Sequence, residues 1–233
     1  MDNFLYKALI VEEPEKNKFI RQIKDVYSDD LPKGDVLIRV KYSSLNYKDA
    51  LSATGNRGVT RQYPHTPGID AAGILSHLGY CVTAVSGKAD TTLLNNLGVK
   101  TIIARNDFLE NTKPPILKEQ WAGVIDTVGG NILAIAIKST KQDGIVTCCG
   151  NVASADLPIN VFPFILRGIS LLGIDSQHCA MEFRSKVWEK LATDWRFGML
   201  ENIYDEIFID QLSDKIECIL KGELRGRTLV NLN

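Results

Sequence analysis

No G-x-G-x-x-G run occurs in this chain of 233 residues, although it holds 18 glycines. A dinucleotide-binding sheet ordinarily opens with a strand and such a loop, whose backbone N–H groups hold a pyrophosphate at a helix N-terminus. Charge is not in surplus either, with 27 basic against 28 acidic residues and a net charge of −1. That balance gives no footing for a nucleic-acid partner or an anionic membrane. The five cysteines show no C-x-x-C spacing. Cys81, Cys148, Cys149 and Cys218 lie in apolar runs and read as buried free thiols of a reducing compartment. His65, His77 and His178 have no metal-like spacing, and no Ser-His-Asp or Cys-His arrangement suggests a nucleophile. The first residues, Met-Asp-Asn-Phe-Leu-Tyr-Lys, lack the shape of a signal peptide, and no apolar run approaches the ~20 residues of a membrane span. The expectation is a soluble cytoplasmic protein. No internal repeat or low-complexity segment is present.

What is present is a 45% hydrophobic composition and a change of texture partway along the chain. The length allows one large domain or two small ones. Residues 5–11 read as a strand, charged residues follow, and Leu31-Pro32-Lys33-Gly34 reads as a turn. Residues 36–42 read as a second strand, and residues 46–51 as a short helix that Asn46 can cap. Pro64 and Pro67 bound an extended piece leading to Gly73, so the first 73 residues are β-rich.

After residue 78 strands and helices alternate. Strands are expected over 80–86, 101–104, 122–126, 144–149 and 169–173, and a last one over 227–230. Helices are expected over 89–97, 130–138, about 179–194 and 211–221. Alternation of this kind predicts a parallel sheet with helices on both faces. The fold class is α/β: a Rossmann-like parallel sheet with its first βα unit missing, beside an incomplete β-rich domain. The seam falls between Gly73 and Leu78.

Within the second region, Cys81 to Val85 suit a fully buried strand, and Ser86-Gly87-Lys88 follow at its carboxyl end, where open α/β sheets bind ligands. Dinucleotide-binding folds place an acid there to hold the ribose 2′-hydroxyl. Here a hydroxyl, a flexible backbone and a cation stand instead, which attract a 2′-phosphate and point to NADP(H). The bland alternative is an ordinary Ser-Gly turn.

The motifs Ser44-Leu45-Asn46-Tyr47-Lys48-Asp49, Pro67-Gly68-Ile69-Asp70-Ala71-Ala72-Gly73, Asp126-Thr127-Val128-Gly129-Gly130 and Pro163-Phe164-Ile165-Leu166-Arg167-Gly168 occur in that order. Leu172-Gly173-Ile174-Asp175-Ser176 and Gly226-Arg227-Thr228-Leu229-Val230 complete the set. Together they resemble the zinc-free quinone oxidoreductase/acryloyl-CoA reductase branch of the medium-chain dehydrogenase/reductase superfamily. The resemblance covers nearly the whole chain, in two blocks. It implies a GroES-like catalytic domain whose N-terminal part is residues 1–73, and a Rossmann-like NADP-binding domain over 74–176. It also implies a C-terminal segment, 177–233, returning to the catalytic domain. The chain is roughly a hundred residues shorter than that family leads one to expect. The loss at the seam removes the end of the catalytic domain, the first Rossmann strand and the glycine-rich pyrophosphate loop. Ile74-Leu75-Ser76-His77-Leu78 then looks like the tail of the helix that followed that loop.

The resemblance also implies site residues, each with an ordinary alternative. Tyr47 stands where zinc-dependent relatives place a cysteine ligand and Ile69 where they place a histidine, so no catalytic metal is expected. Tyr47 is the candidate catalytic hydroxyl, or a packed aromatic beside a turn. Asn46 and Asp49 can brace the helix as readily as touch ligand. Thr101 and Arg105 flank the strand after Ser86, Gly87 and Lys88, and Arg105 is a 2′-phosphate contact or a surface charge. The small residues after Asp126 let backbone approach a cofactor, unless Asp126 caps the next helix. Asn151 faces the nicotinamide or makes a plain turn, Ile165 packs on the cofactor or in the core, and Ser176 hydrogen-bonds the nicotinamide side. Arg227 pairs with a phosphate or a surface acid. The implied activity is NADPH-dependent reduction of an activated double bond, as in an enoyl thioester, or of a quinone, by a homodimer. The competing reading is an inactive, shortened relative acting as a binding or oligomeric module, since a missing central strand leaves two unpaired edges.

Overall fold

The computed structural model describes residues 3–31, 40–57, 79–110, 113–175, 178–196, 198, 201 and 203–233. In chain order the elements begin with β1 (Leu5–Glu15), β2 (Lys18–Tyr27), β3 (Tyr42–Leu45) and α1 (Tyr47–Ala53). They continue with β4 (Thr83–Ser86), α2 (Thr92–Asn96), β5 (Thr101–Ala104), α3 (Arg105–Phe108), β6 (Trp121–Asp126) and α4 (Gly130–Lys138). Then come β7 (Thr140–Cys148), α5 (Phe162–Arg167), β8 (Ser170–Gly173), α6 (Met181–Ala192), β9 (Tyr204–Phe208), α7 (Leu212–Leu220) and β10 (Arg227–Asn231). The chain divides into two units, Met1–Gly73 with Gly198–Asn233, and Ile74–Phe197.

In the first unit β1 and β2 form an antiparallel hairpin, with Leu5 opposite Tyr27 and Glu12 opposite Ile20. Its turn uses Asn17 at φ +62°, a conformation asparagine tolerates better than most residues. The β2 segment was expected as a charged connector. Its half-buried positions Phe19, Arg21 and Ile23 alternate with exposed ones. Only part of its inner side is apolar, so pairing with β1 makes it a strand where its own pattern is weak. β10 joins β3 antiparallel and β9 parallel in a second, three-stranded sheet. Leu9, Val11, Leu45, Ala50, Ala53 and Ile216 form this unit's core, with Leu212, Ile219 and Leu220 of α7 packed against it. Of the strand expected over 36–42, residues 36–39 lie outside the described residues and only Tyr42 falls in a strand.

In the second unit β4 and β5 pair in parallel, with Ser86 opposite Ala104. β6, β7 and β8 form a separate parallel sheet in that order. Within this unit the alternating βα pattern gives parallel pairing, as expected, but in two sheets instead of one among the described residues. The last strand expected in the alternation, 227–230, falls in the first unit, where it also pairs antiparallel with β3. Two expectations about burial are corrected. The strand expected over 80–86 starts at Thr83 and is half-buried along its length, since among the described residues it has a strand on one side only. Cys81, which precedes it, is exposed, and so is Cys149, one residue past the end of β7.

The two faces of the β6–β7–β8 sheet differ. Val124, Val146 and Leu171 are in register and point one way, against Leu133 and Ile137 of α4 and Phe164 of α5. Alternate residues point the other way, because successive side chains on a strand take opposite faces. There Ile125, Ile145 and Leu172 are 58%, 49% and 48% exposed. α4 is apolar nearly all round, and Ile132 to Ile137 are all buried.

Candidate functional site

The carboxyl end of β4 carries Ser86, Gly87 and Lys88. Ser86 Oγ accepts the Lys88 backbone N–H at 3.2 Å, closing a small turn that presents both side chains at the strand end. Ser86 is half-buried and Lys88 exposed. Arg105 opens α3, one residue beyond the end of β5. A Cβ added to Gly87 would lie 3.2 Å from Arg105 Cζ and 3.3 Å from its Nε, so the guanidinium lies against the bare backbone of Gly87. A hydroxyl and two cations thus gather at the ends of two adjacent parallel strands. Thr101 is not among them. It pairs with Thr83 at the amino end of the strands, roughly 10 Å from Ser86 at ~3.3 Å per residue. Sequence spacing put Thr101 and Arg105 on equal terms, and parallel register separates them.

The carboxyl ends of β6 and β7 are tied to each other. Asp126 is buried, and its Oδ2 accepts from Val128 N at 3.2 Å and Gly129 N at 2.8 Å. The carboxylate thereby holds the turn before α4, whose N-cap is Gly129. A Cβ on Gly129 would stand 2.3 Å from Ser154 O, and one on Gly150 would stand 2.2 Å from Thr127 O. Ala153 N donates to Val128 O at 2.8 Å. The small residues at these strand ends accommodate the neighbouring loop's backbone. Asn151 is exposed within that loop.

Ile165 is 67% exposed on α5, and so does not take the core position that was its bland alternative. Its neighbour Arg167 does structural work that sequence reasoning did not assign. It is half-buried and donates to Lys138 O at 2.9 Å, Thr140 O at 3.1 Å and Leu117 O at 2.7 Å. Its Nε lies 3.3 Å from Glu119. It closes the C-terminus of α4, where helix carbonyls lack partners and a cation is favoured. After β8, Asp175 accepts the His178 backbone N–H at 3.1 Å and lies 2.8 Å from its Nδ1. Ser176 lies outside the described residues.

In the first unit, Tyr47 is the first residue of α1 and is half-buried. Asn46 and Asp49 form a capping box, with Asp49 Oδ2 accepting Asn46 N at 2.8 Å. Arg227 Nη1 donates to Asn46 Oδ1 at 2.8 Å, so β10 pins the turn that carries Tyr47. The structure thus groups Ser86, Gly87, Lys88 and Arg105 in one unit, and Asn46, Tyr47 and Arg227 in the other. Among the described residues no group of three or more His, Cys, Asp or Glu side chains could hold a metal, and Ile69 lies outside them. No described helix is long and apolar enough to cross a membrane.

Two units, one of them carrying parallel βα pairs, agree with what comparison with known proteins shows. Residues 68–193 match the zinc-binding dehydrogenase family and residues 32–92 the alcohol dehydrogenase GroES-like domain. With more than half its length in that match, the chain belongs to the zinc-binding dehydrogenase family, within the medium-chain dehydrogenase/reductases, on the acrylyl-CoA reductase and quinone oxidoreductase side. It is 29% identical to acrylyl-CoA reductase AcuI of Ruegeria pomeroyi over an alignment that covers 98% of this chain and 100% of that protein. It is 26% identical to the putative quinone oxidoreductase YhfP of Bacillus subtilis, covering 98% of this chain and 99% of that one. Among solved structures, yhdH oxidoreductase of Salmonella enterica in complex with NADP superposes with a TM-score of 0.89 at 26% identity. That match covers 97% of this chain and 100% of the other. Bacillus subtilis yhfP with NAD bound gives 0.90 at 26% identity, covering 98% and 100%. The alignment with the Ruegeria protein runs over 329 positions against 233 residues here, so many positions of that relative have no counterpart in this chain.

Proposed function

We propose that this chain is an NADPH-dependent oxidoreductase that reduces an activated carbon–carbon double bond, as in an acryloyl-CoA-like enoyl thioester, or a quinone. The carrying observation is the Arg105 guanidinium lying against Gly87, beside Ser86 and Lys88, where two parallel strands end. A Cβ at position 87 would press on that guanidinium, so the glycine keeps the cradle open. Ser86, Lys88 and Arg105 hold the 2′-phosphate of NADP(H), and an acid that would prefer a 2′-hydroxyl is missing from the strand end. Relatives that bear the names acrylyl-CoA reductase and quinone oxidoreductase, and a related structure in complex with NADP, support the reading.

NADPH, when bound, would supply a hydride to the β-carbon of the conjugated acceptor, and a proton from solvent at the α-carbon would complete the reduction. The Tyr47 hydroxyl donates a hydrogen bond to the enolate oxygen that develops, and the Asn46–Asp49 capping box and Arg227 hold its backbone in place. Asn151, Ile165 and Ser176 belong to the nicotinamide side, and no catalytic zinc takes part. Residues 1–73 and 198–233 form the catalytic part and residues 74–197 the NADP-binding part of a cytoplasmic homodimer, the return expected at 177 falling at 198 in the division of units.

Titration of NADPH and NADH on wild type, Lys88→Ala and Arg105→Ala tests this. One charge-assisted contact is worth about 1.5–3 kcal/mol, so each variant loses roughly one to two decades of NADPH affinity and keeps its NADH affinity. Equal losses for both cofactors, or tighter NADH binding by wild type, would overturn the reading. The absent glycine-rich loop favours a second reading, a non-catalytic binding or oligomeric module. A wild-type chain that is folded and binds neither cofactor selects it.

A further inference from the structure

Two of the five cysteines, Cys148 and Cys149, are adjacent in the chain, and the other three stand apart. Along a strand, neighbouring side chains take opposite faces, which carries adjacent sulfurs away from each other. Here β7 ends at Cys148, and both sulfurs turn toward one residue, Asp126 at the end of β6. Cys148 Sγ lies 3.8 Å from Asp126 Oδ2, and 3.7 Å from Gly150 O. Cys149 Sγ lies 3.3 Å from Asp126 O. The two differ in access, since Cys149 is exposed and Cys148 half-buried behind it. The peptide that joins them is held from both sides. Cys149 N donates to Asp126 O at 2.9 Å, and Cys148 O accepts from Ile174 N at 2.9 Å.

We propose that Cys148 and Cys149 form a peroxide-sensitive dithiol that closes to a disulfide between neighbours. Cys149, the accessible thiol, attacks one oxygen of hydrogen peroxide. An S–O bond forms, the O–O bond breaks, and the departing hydroxide leaves as water with the thiol proton. Cys148 Sγ then attacks the Cys149 sulfenic sulfur. The S–S bond forms, the S–O bond breaks, and a second water leaves with the Cys148 proton. The two sulfurs give up two electrons and the peroxide takes them. Adjacent Cα atoms are about 3.8 Å apart, whereas bridged ones are ordinarily about 4.4–6.8 Å apart. The ring is therefore strained and easily reduced, which suits a reversible switch and not a structural bond. Drawing the sulfurs together turns the joining peptide away from Asp126 O and Ile174 N. The loop that follows moves with it, because Gly150 sits against Thr127 O and Ala153 N is bound to Val128 O. Oxidation thus loosens the carboxyl ends of β6 and β7, the side of the sheet where ligands bind. The inference does not rest on the cofactor reading above.

The test treats the full 233-residue chain with hydrogen peroxide, blocks remaining thiols with iodoacetamide and maps tryptic peptides by mass. The peptide 142–167 carries Cys148 and Cys149 and no other cysteine. It is expected to lose the mass of two hydrogens and take up no iodoacetamide, and dithiothreitol should return both thiols. Amide exchange at Cys149 and Ile174 should quicken by at least about tenfold in the oxidised chain, since those two hydrogen bonds are the ones given up. With Cys148→Ser the peptide should gain oxygen on Cys149 and stay open. With Cys149→Ser the Cys148 thiol should survive the same dose of peroxide. A wild-type peptide that only gains oxygen, or that alkylates on both thiols as before, overturns the proposal. So does a disulfide-linked dimer, or exchange at Cys149 and Ile174 that oxidation leaves unchanged. If either serine variant fails to fold, the wild-type map and exchange decide the matter alone.

Discussion

Ile145 and Val146 are neighbours on β7, yet Ile145 is 49% exposed and Val146 is 0% exposed. A weaker form of the contrast runs between Val124 and Ile125 on β6, and between Leu171 and Leu172 on β8, the first of each pair half-buried and the second exposed. A continuous apolar run is the mark of a strand buried on both sides. Here the run is continuous and the burial is one-sided. The residue types are suited to a sheet with helices on both faces, and the chain supplies its own helices to one. What the difference teaches is that an apolar run records the environment a strand is suited to, and that environment can lie in another part of a fold.

The largest expected contrast is between substitutions on these two faces. Ile137 on α4 is fully buried against the covered face, and Ile137→Ala should cost about 3 kcal/mol through lost transfer energy and the cavity left behind. Ile125→Ala on the bare face should change stability by less than about 0.5 kcal/mol. Urea unfolding of both variants reads the pair, and comparable losses would mean that the bare face is covered in solution.

Next in size is Arg167, which secures the covered side by joining α5 to the end of α4 and the start of β7. Arg167→Ala leaves three carbonyls without their charged donor and should cost about 2 kcal/mol. Arg167→Lys should recover less than half of that loss, because an ammonium cannot reproduce the planar fork. Full recovery by lysine would show that charge, not geometry, is what the site uses.

The smallest effect belongs to the first unit, where the β1–β2 hairpin is held to α7 by Arg21 and Glu217. Arg21, by hydrogen bond and charge, holds the Glu217 carboxyl below its ordinary value of 4.5. The Asn17 backbone N–H, then Arg57, does the same for Glu13. A carboxyl lowered on folding adds stability above pH 4.5 that is lost as pH falls through its folded value. Glu217→Gln should therefore flatten the fall in stability below pH 4.5, slightly, because the pair is exposed and salt screens it. An unchanged acid limb in thermal melts would mean that this ion pair contributes nothing to stability.

Several elements were legible in the residues. The turn at Asn46, the parallel pairing of β4 with β5, the position of Ser86 at a carboxyl end and the apolar helix over 130–138 were all readable from local pattern. β2 and β9 were not, because each takes its strand form from the neighbour it pairs with. The short helix α5 hid behind Pro163, which at the first turn of a helix is permitted and in its interior is not. Thr101 and Arg105 looked alike as flanking polar residues until register set one at each end of β5.

The sequence by itself determined the alternation of strands and helices, the absence of a phosphate loop and the hydroxyl and cation after β4, since each is written in residues close together along the chain. Only the tertiary structure decided which side chains meet. Arg105 lies against Gly87, Arg227 reaches Asn46 across 181 residues, and Arg167 reaches Leu117 across 50. It also decided that one face of the β6–β7–β8 sheet is covered and the other bare. Contacts between distant residues depend on register and crossover, and neither can be read from one stretch of sequence.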